Sequence, residues 1–386
     1  MKIPFNKPYS TGKEIDFIKQ SIESGHISGD GMFTKLCHDY FKNKYGFKNV
    51  LLTTSCTDAL ELISLLIDVV PGDEIIVPTF TFVSTVNAFV LRGAKIVFVD
   101  SQSHNPNIDV DLIESLITPK TKAIVCVHYA GFACEMDKLV ELANKYNLFL
   151  IEDAAQSIDN FFISKDGTRK PLGSFGHFSA FSFHETKNII SGEGGLLVVN
   201  DERYIERAEI IREKGTNRSQ FFRGEINKYG WVDIGSSFLP TDIVSAFLYA
   251  QLLHLEEIQK RRIHHWNLYN YLLSSLAESN YFKLPCTPKY STNNGHMFYL
   301  ICRSLDERTK LIDHLKSKGI LAVFHYLSLH KSEFMLNYDY ENTLKNHPNS
   351  DFFTDTLVRL PLFYELTDEQ IQFICSEIIL FYQSNY

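Results

Sequence analysis

AIVCVHYAGFACEMDKLVELANKYNLFLIED, residues 123–153, decides the fold. Its two apolar runs, Ala123–His128 and Leu148–Asp153, carry Val, Ile and Leu at successive rather than alternate positions. Strands buried on both faces read this way. Between them EMDKLVELANKYN has helical spacing, and it is long enough to carry the chain from one parallel strand to the next. Further out the same short runs recur as Glu74–Pro78, Lys95–Asp100, Phe178–His184 and Gly195–Asp201. A helix-length DALELISLLIDVV precedes them, and Gly72 and Gly93 sit where such helices should stop. The expected large unit is α/β with a mostly parallel sheet.

Beyond about Leu252 the texture changes. LLHLEEIQKRRIHHWNLYNYLLSSLAES reads as one long helix, followed by HMFYLICR, the helix ERTKLIDHLKSKG, the strand LAVFHYL and a final helix TDEQIQFICSEIILFYQ. The last opens with Thr367 and Gln370 in capping-box spacing. The predicted division is an N-terminal arm with the large unit over 1–251, and a connecting helix with a smaller α+β unit over 252–386. The polar stretch Leu336–Ser350 is expected to be the least ordered.

Composition bounds the partners. A chain of 386 residues, 45% hydrophobic and 22% charged, is globular and holds about two or three domain-sized units. A net charge of -8 argues against nucleic-acid or anionic-membrane binding. Pro4 and Pro8 interrupt the N-terminus, which has no apolar signal-like segment, and no apolar run reaches the ~18 residues of a membrane span. The seven cysteines are scattered without zinc spacing, and the 14 histidines form no HExxH. No metal is expected, and reduced thiols in the cytoplasm are.

Three loops at the ends of proposed strands carry chemistry, where open parallel sheets bind ligands. In TTSCTDAL the N–H groups of Cys56 and Thr57 can face an anion at a helix N-terminus, with Ser55 and Thr57 as side-chain donors; an ordinary Ser/Thr cap is the alternative. In IEDAAQS, Asp153 follows a buried strand and needs a cationic partner, such as a protonated pyridine nitrogen, unless it merely caps the next helix. Gln156 is placed to reach a neighbouring phenolic oxygen. In FSFHETKNIISGEGG, Lys187 stands between an aromatic strand and a glycine-rich turn, and Ser182 can help a phosphate. Most lysines are solvated surface groups; an enclosed one has a lowered pKa, and its neutral amine attacks aldehydes. Taken together, the loops match a cofactor with a phosphate, a pyridine nitrogen and an aldehyde.

The chain resembles the DegT/DnrJ/EryC1/StrS family of sugar aminotransferases, through IPFNKP, SGHISGDGMFT, PGDEIIVPTFTFVST, VHYAGFACEMD, EDAAQS, FSFHETKN, GEGG, REKGTNRSQF and FHYLSLH. FHETKN with REKGTNRSQFFRG is most similar to the branch that makes dTDP-4-amino-4,6-dideoxygalactose. The resemblance implies the aspartate-aminotransferase (type I) fold and pyridoxal 5'-phosphate, with pyridoxamine phosphate as the intermediate form. It implies Lys187 as the cofactor-linked lysine and proton carrier, and Asp153 as the pyridinium partner. Gln156 would contact the phenolic oxygen, Phe82 would stack on the ring, and Ser55, Cys56, Thr57 and Ser182 would hold the phosphate. Where many relatives have G-x-N-x-R, this chain has GSSFL, so Ser237 replaces the Asn that reaches the partner subunit's phosphate, and Leu239 replaces the Arg. A homodimer with shared sites is implied. Candidate sugar-nucleotide contacts are Gly29 and Phe33 in SGDGMFT, Lys214 and Arg218 for the diphosphate, and His325 and Tyr326. For His325 a packed strand position is an equal alternative, and for Lys214 and Arg218 a solvated surface role.

The expected reaction moves an amino group from glutamate to the C4 ketone of dTDP-4-keto-6-deoxy-D-glucose. The same chemistry giving the gluco epimer, or acting on a 3-keto or a UDP- or GDP-linked sugar, is the near alternative. A non-catalytic cofactor-binding regulator is the distant one, and the presence of Lys187, Asp153 and Gln156 argues against it.

Overall fold

The computed structural model describes residues 2–385, so Met1 and Tyr386, the outer ends of the two expected units, lie outside it. The strands in chain order are β1 (Asn49–Thr53), β2 (Glu74–Pro78), β3 (Lys95–Val99), β4 (Thr121–Val127), β5 (Phe149–Asp153), β6 (Phe161–Ile163), β7 (Arg169–Pro171), β8 (Phe178–Ser182), β9 (Gly195–Val199), β10 (Phe298–Ile301), β11 (Val323–Phe324) and β12 (Leu357–Leu360).

Seven of them form one sheet in the order β1-β9-β8-β5-β4-β2-β3. Every pairing from β8 through β3 is parallel, and β9 runs antiparallel between β8 and β1. The run Gly195–Asp201 is therefore the one strand of this sheet that opposes the rest. β1, NVLLT, is a strand that the apolar-run reading passed over. Crossover helices cover the sheet: Cys56–Leu66 with six buried residues, Val83–Val90, and Met136–Tyr146 with its apolar stripe Met136, Leu139 and Ala143. Asp68 and Asn147 adopt left-handed φ just past two of these helices, a conformation that Asp and Asn tolerate better than most residues. Gly72 and Gly93 take it in the turns that lead into β2 and β3.

The long helical pattern is two helices, Asp242–Leu253 and Leu255–Glu278, with a break at His254. Asp242 is fully buried, and its carboxylate accepts the N–H groups of Phe33 and Thr34 and the hydroxyls of Ser21 and Thr34. It thus caps the helix Met32–Tyr45, whose own N-cap is Gly31. A Cβ at Gly31 would lie 2.4 Å from that carboxylate, so the glycine is required by the cap.

The smaller sheet has the order β10-β12-β11 and is wholly antiparallel. The expected strand LAVFHYL shrinks to Val323–Phe324, and β12 was not anticipated. Thr367 and Gln370 exchange the two bonds of the capping box at the last helix, Asp368–Asn385. The core of this half, built on Phe298, Tyr299, Leu300, Leu311 and Ile374, is continuous with Phe80 and Tyr129 of the large sheet's loops and with Ile3. Ile3 bridges to Ile320, so the N-terminal arm, grouped above with the first 251 residues, reaches onto the smaller half. Leu336–Ser350, expected to be least ordered, forms short helices at Glu333–Tyr338 and Tyr340–Thr343. Asn342 anchors it by donating to the carbonyl of Ile96, and Asp100 accepts the N–H groups of Asn349 and Ser350.

Candidate active site

The carboxyl ends of β1, β2, β5 and β8 open on one cavity of about 600 Å³, closed on its far side by residues next to β10, β11 and β12. Register sets its floor. Gly195 lies opposite Thr53 on one side and Ser182 on the other, which brings the end of β8 beside the loop Thr54–Ser55. A Cβ at Gly195 would meet the carbonyl of Ser55 at 2.3 Å and the nitrogen of Cys56 at 2.5 Å. The final glycine of GEGG therefore serves close backbone approach.

Ser55 is extended, and its hydroxyl accepts the N–H of Asp58 at 3.0 Å, so it caps the helix Cys56–Leu66 while also lining the cavity. The first N–H groups of that helix, on Cys56 and Thr57, have no intrahelical acceptor and carry the positive end of the helix dipole. The Thr57 hydroxyl bonds that of Ser84, which starts the next crossover helix. Asp153 ends β5, buried, and is held by the hydroxyl of Thr85 at 2.7 Å and the N–H of Ala155 at 3.1 Å. Thr81 in turn bonds Thr85. Burial raises the pKa of Asp153, because nothing in the chain pairs with its charge closely enough to offset desolvation.

Lys187 lies in the loop between β8 and β9, its N–H bonded to the carbonyl of His184. Burial lowers its pKa; Cys56 and Asp153 act the other way, and Arg359 acts with burial. Gln156 accepts the N–H of Ala130 and donates to the hydroxyl of Tyr326 at 3.2 Å. Phe82 is more than half exposed at the cavity edge, its ring 6.1 Å from that of Tyr326. Tyr326 adopts φ 48°, a strained left-handed conformation for an aromatic residue, and His325 beside it bonds the hydroxyl of Tyr129 at 2.8 Å.

The cavity thus brings together Ser55, Cys56, Thr57, Phe82, Asp153, Gln156, Ser182, Lys187, His325 and Tyr326. Five other candidates are not among its lining residues. Phe33 is buried against Phe17 and Tyr249. Gly29 packs where a Cβ would strike Leu239, so the glycines of SGDGMFT answer to packing against Leu239 and Asp242. Arg218 pairs with Glu213 and lies over the ring of Phe222. Lys214 is exposed with a left-handed φ of 65°, and Ser237 is exposed in an isolated bridge to Glu213.

The sequence reading passed over Thr81, Thr85, His296 and Arg359. Thr85 sits inside a helix and Arg359 on the unanticipated strand β12, so neither lies in a loop that carries a signal. It also found no Cys/His grouping, yet Cys126, His128 and Cys134 have ligand atoms within 4.8 Å of one another. These are engaged already: His128 lies 3.0 Å from Glu152 and accepts the N–H of Cys134, whose thiol bonds the carbonyl of Val127.

The model of the DegT/DnrJ/EryC1/StrS aminotransferase family matches residues 8–379. The chain belongs to that family. GDP-perosamine synthase of Escherichia coli O157:H7 is 31% identical over 98% of both chains. Spr1654 from Streptococcus pneumoniae, solved in PMP and PLP forms, superposes with a TM-score of 0.89 at 25% identity, covering 100% of this chain and at least 98% of that one. PseC of Helicobacter pylori, an aminotransferase involved in the biosynthesis of pseudoaminic acid, has the same fold at 23% identity, with a TM-score of 0.89 and full coverage of both chains. As a member of the family, the chain is a pyridoxal-phosphate-dependent sugar aminotransferase of the type I fold.

The residues present fit that cofactor. A helix N-terminus with unsatisfied N–H groups suits its phosphate. The buried carboxylate of Asp153 is costly until a cation stands beside it, which a protonated ring nitrogen provides. No carboxylate lies within ion-pair distance of Lys187 among the described residues, which leaves its amine available. Among the described residues, no helix is long and apolar enough to cross a membrane.

Proposed function

We propose that Lys187 carries the cofactor and that the enzyme moves an amino group from glutamate to the C4 ketone of a nucleotide-linked 4-keto-6-deoxy sugar. On this reading the substrate is dTDP-4-keto-6-deoxy-D-glucose and the product is dTDP-4-amino-4,6-dideoxy-D-galactose. The observation that carries the assignment of Lys187 is its enclosure in one cavity with Asp153 and the N-terminus of the Cys56–Leu66 helix. When bound, the cofactor supplies an electron sink for the carbon that loses its proton. Asp153, fixed by Thr85 and Ala155, holds a proton on the ring nitrogen. Cys56 and Thr57 bind the phosphate through their N–H groups, with Ser55 and Ser182 beside them, and Phe82 covers the ring face. Lys187, with its pKa lowered, would carry a proton between the substrate carbon and the cofactor carbon in each half-reaction, away from the donor's α-carbon in the first and onto the sugar's C4 in the second, a role worth roughly 10²–10⁴-fold.

The choice of a dTDP-sugar rests on FHETKN and REKGTNRSQFFRG. A GDP-linked sugar is the second reading, favoured by the likeness to GDP-perosamine synthase. Incubation with glutamate and a panel of dTDP-, UDP- and GDP-linked keto sugars tests both, with NMR of the product reading which face is aminated. Turnover of only the GDP-linked sugar refutes the first reading.

Two units, 1–251 and 252–386, and a homodimer with shared sites belong to the same proposal. Phe222, Tyr229, Trp231, Val232 and Ile234 are exposed within one short segment, and Ser237 follows it, which supports a partner surface there. Ser237 would then reach the partner subunit's phosphate. The seven cysteines are free, in keeping with a reducing cytoplasm.

A further inference from the structure

Asn188, the residue after Lys187, is buried with its whole side-chain amide engaged. Its Nδ2 donates to the carbonyl of Asn294 at 2.9 Å and to Oε1 of Gln259 at 2.8 Å. A backbone carbonyl only accepts, so the amide has one possible orientation, with Oδ1 turned to Nδ1 of His296 at 2.8 Å. Oδ1 only accepts as well, so Nδ1 of His296 carries a proton. Burial and the cations facing the ring, Lys187, Arg262 and Arg359, hold its pKa well below the ordinary value. The neutral imidazole of His325 is the other titratable group beside it. A neutral imidazole protonated at Nδ1 has a bare lone pair at Nε2. The ring makes no other hydrogen bond among the described residues, which leaves Nε2 to the cavity that His296 lines together with Lys187.

The surrounding network holds this pair in place. Asn294 donates to the carbonyls of Gln156 and Ile158 and accepts the N–H of His296. Arg262 donates to the carbonyl of His296. Asn188 and Asn294 thus join the Lys187 loop, the Gln156 loop and the segment leading into β10, and neither they nor Gln259 leave a buried polar atom unpartnered. A buried network satisfied in this way fixes a single geometry.

A neutral amine has two N–H groups and one lone pair, and the lone pair does the chemistry. An acceptor on one N–H fixes where that lone pair points. A carboxylate in this place would favour the ammonium and remove the lone pair, whereas an uncharged acceptor leaves it free. We infer that His296 is a positioning residue for Lys187: its Nε2, bared by the hydrogen bond from Nδ1 to Asn188, accepts one N–H of the lysine amine and aims the lone pair at the reacting carbon. The inference rests on Lys187 being the reacting amine.

Two measurements separate this role from a structural one. In the cofactor-free protein, nitrogen–proton correlation NMR with labelled histidine reads the tautomer, the His296 signals being those lost in His296→Leu. Nδ1 should be protonated and Nε2 bare between about pH 6 and 9, and Asn188→Ala should release that preference. A ring protonated at Nε2 in the wild type overturns the assignment. Holoenzyme is then mixed with glutamate, unlabelled or deuterated at the α-carbon, and a single conversion is followed by the cofactor's visible absorbance. His296→Leu should slow conversion about 10–100-fold, with half-saturating glutamate unchanged and a primary isotope effect at least as large as the wild type's. His296→Gln, which can set an amide oxygen where Nε2 stood, should recover part of the rate. An unchanged rate, a loss confined to half-saturation, or a vanished isotope effect overturns the positioning role. If the wild type does not convert with glutamate, or Lys187→Ala converts as fast, the proposed function itself fails. If the wild type converts, Lys187→Ala does not and His296→Leu matches the wild type, only the role of His296 does.

Discussion

At the scale of single residues the site depends on burial that the chain leaves uncompensated. Lys187 has its pKa lowered by desolvation, so at any given pH more of its amine is neutral than the ordinary value of 10.5 allows. Capture of pyridoxal phosphate by the cofactor-free protein should therefore quicken with rising pH and level off below pH 10.5. A plateau only above that value would contradict the enclosure of Lys187. Asp153 shows the same desolvation with the opposite sign, its pKa raised. Asp153→Asn preserves the shape and removes the anion, and turnover should fall by about 10²–10³-fold, as when other pre-set charge-stabilising groups are removed. Thr85→Val removes the donor to that carboxylate and should destabilise the folded protein by about 1.5–3 kcal/mol, read by denaturant unfolding. Asp153 was legible because it ends a buried strand, and Lys187 because it lies between an aromatic strand and the glycine-rich GEGG. Thr85 and Arg359 were not, since a threonine within a helix and an arginine in VRLPL look like ordinary solvent-facing positions. For Arg218 the sequence leaves a diphosphate contact and a surface role both open, since its pairing with Glu213 forms only once the chain has folded.

At the scale of elements, the site is a matter of strand register. One residue of β9, Gly195, faces both Thr53 and Ser182, and the next turn of chain is the helix N-terminus proposed to take the phosphate. Gly195→Ala puts a methyl group into the backbone of Ser55 and Cys56, neither of which can rotate away as a side chain would. Cofactor affinity should drop at least about 10-fold, a 1.4 kcal/mol effect, in equilibrium dialysis, and unchanged affinity would mean that this loop does not hold the phosphate. The parallel strands were readable because burial on both faces leaves them apolar throughout. The reversal of β9 was not, because strand direction comes from which neighbour it pairs with and leaves no mark on composition. The short strands β11 and β12 escaped for a related reason. Two to four residues in a small antiparallel sheet carry too little pattern to separate from a loop. SGDGMFT carries a packing role that its composition does not disclose. Its glycines admit Leu239 and the capping carboxylate of Asp242, which lie more than 200 residues away in sequence.

At the scale of the whole molecule, one cavity is built from two sheets, and the N-terminal arm crosses between them at Ile3 and Ile320. The exposed segment around Trp231 belongs to neither core, and on the proposed dimer it would face the partner subunit. Sedimentation should give about twice the chain's 44.4 kDa, and Trp231→Asp should shift it towards the monomer with loss of bound cofactor. A wild-type protein that sediments as a monomer at micromolar concentration would remove the shared site from the account. Assembly of this kind was open to sequence reading only by resemblance, since self-complementary surfaces have no periodicity of their own.

The central claim is that Lys187, among 38 basic residues, is the one that holds the cofactor. The most direct measurement is borohydride trapping of the holoenzyme followed by peptide mass spectrometry. The holoenzyme should give a single reduction-stable pyridoxyl-phosphate adduct on the peptide containing Lys187, absent from Lys187→Ala. An adduct on another lysine, or an undiminished adduct in Lys187→Ala, would contradict it.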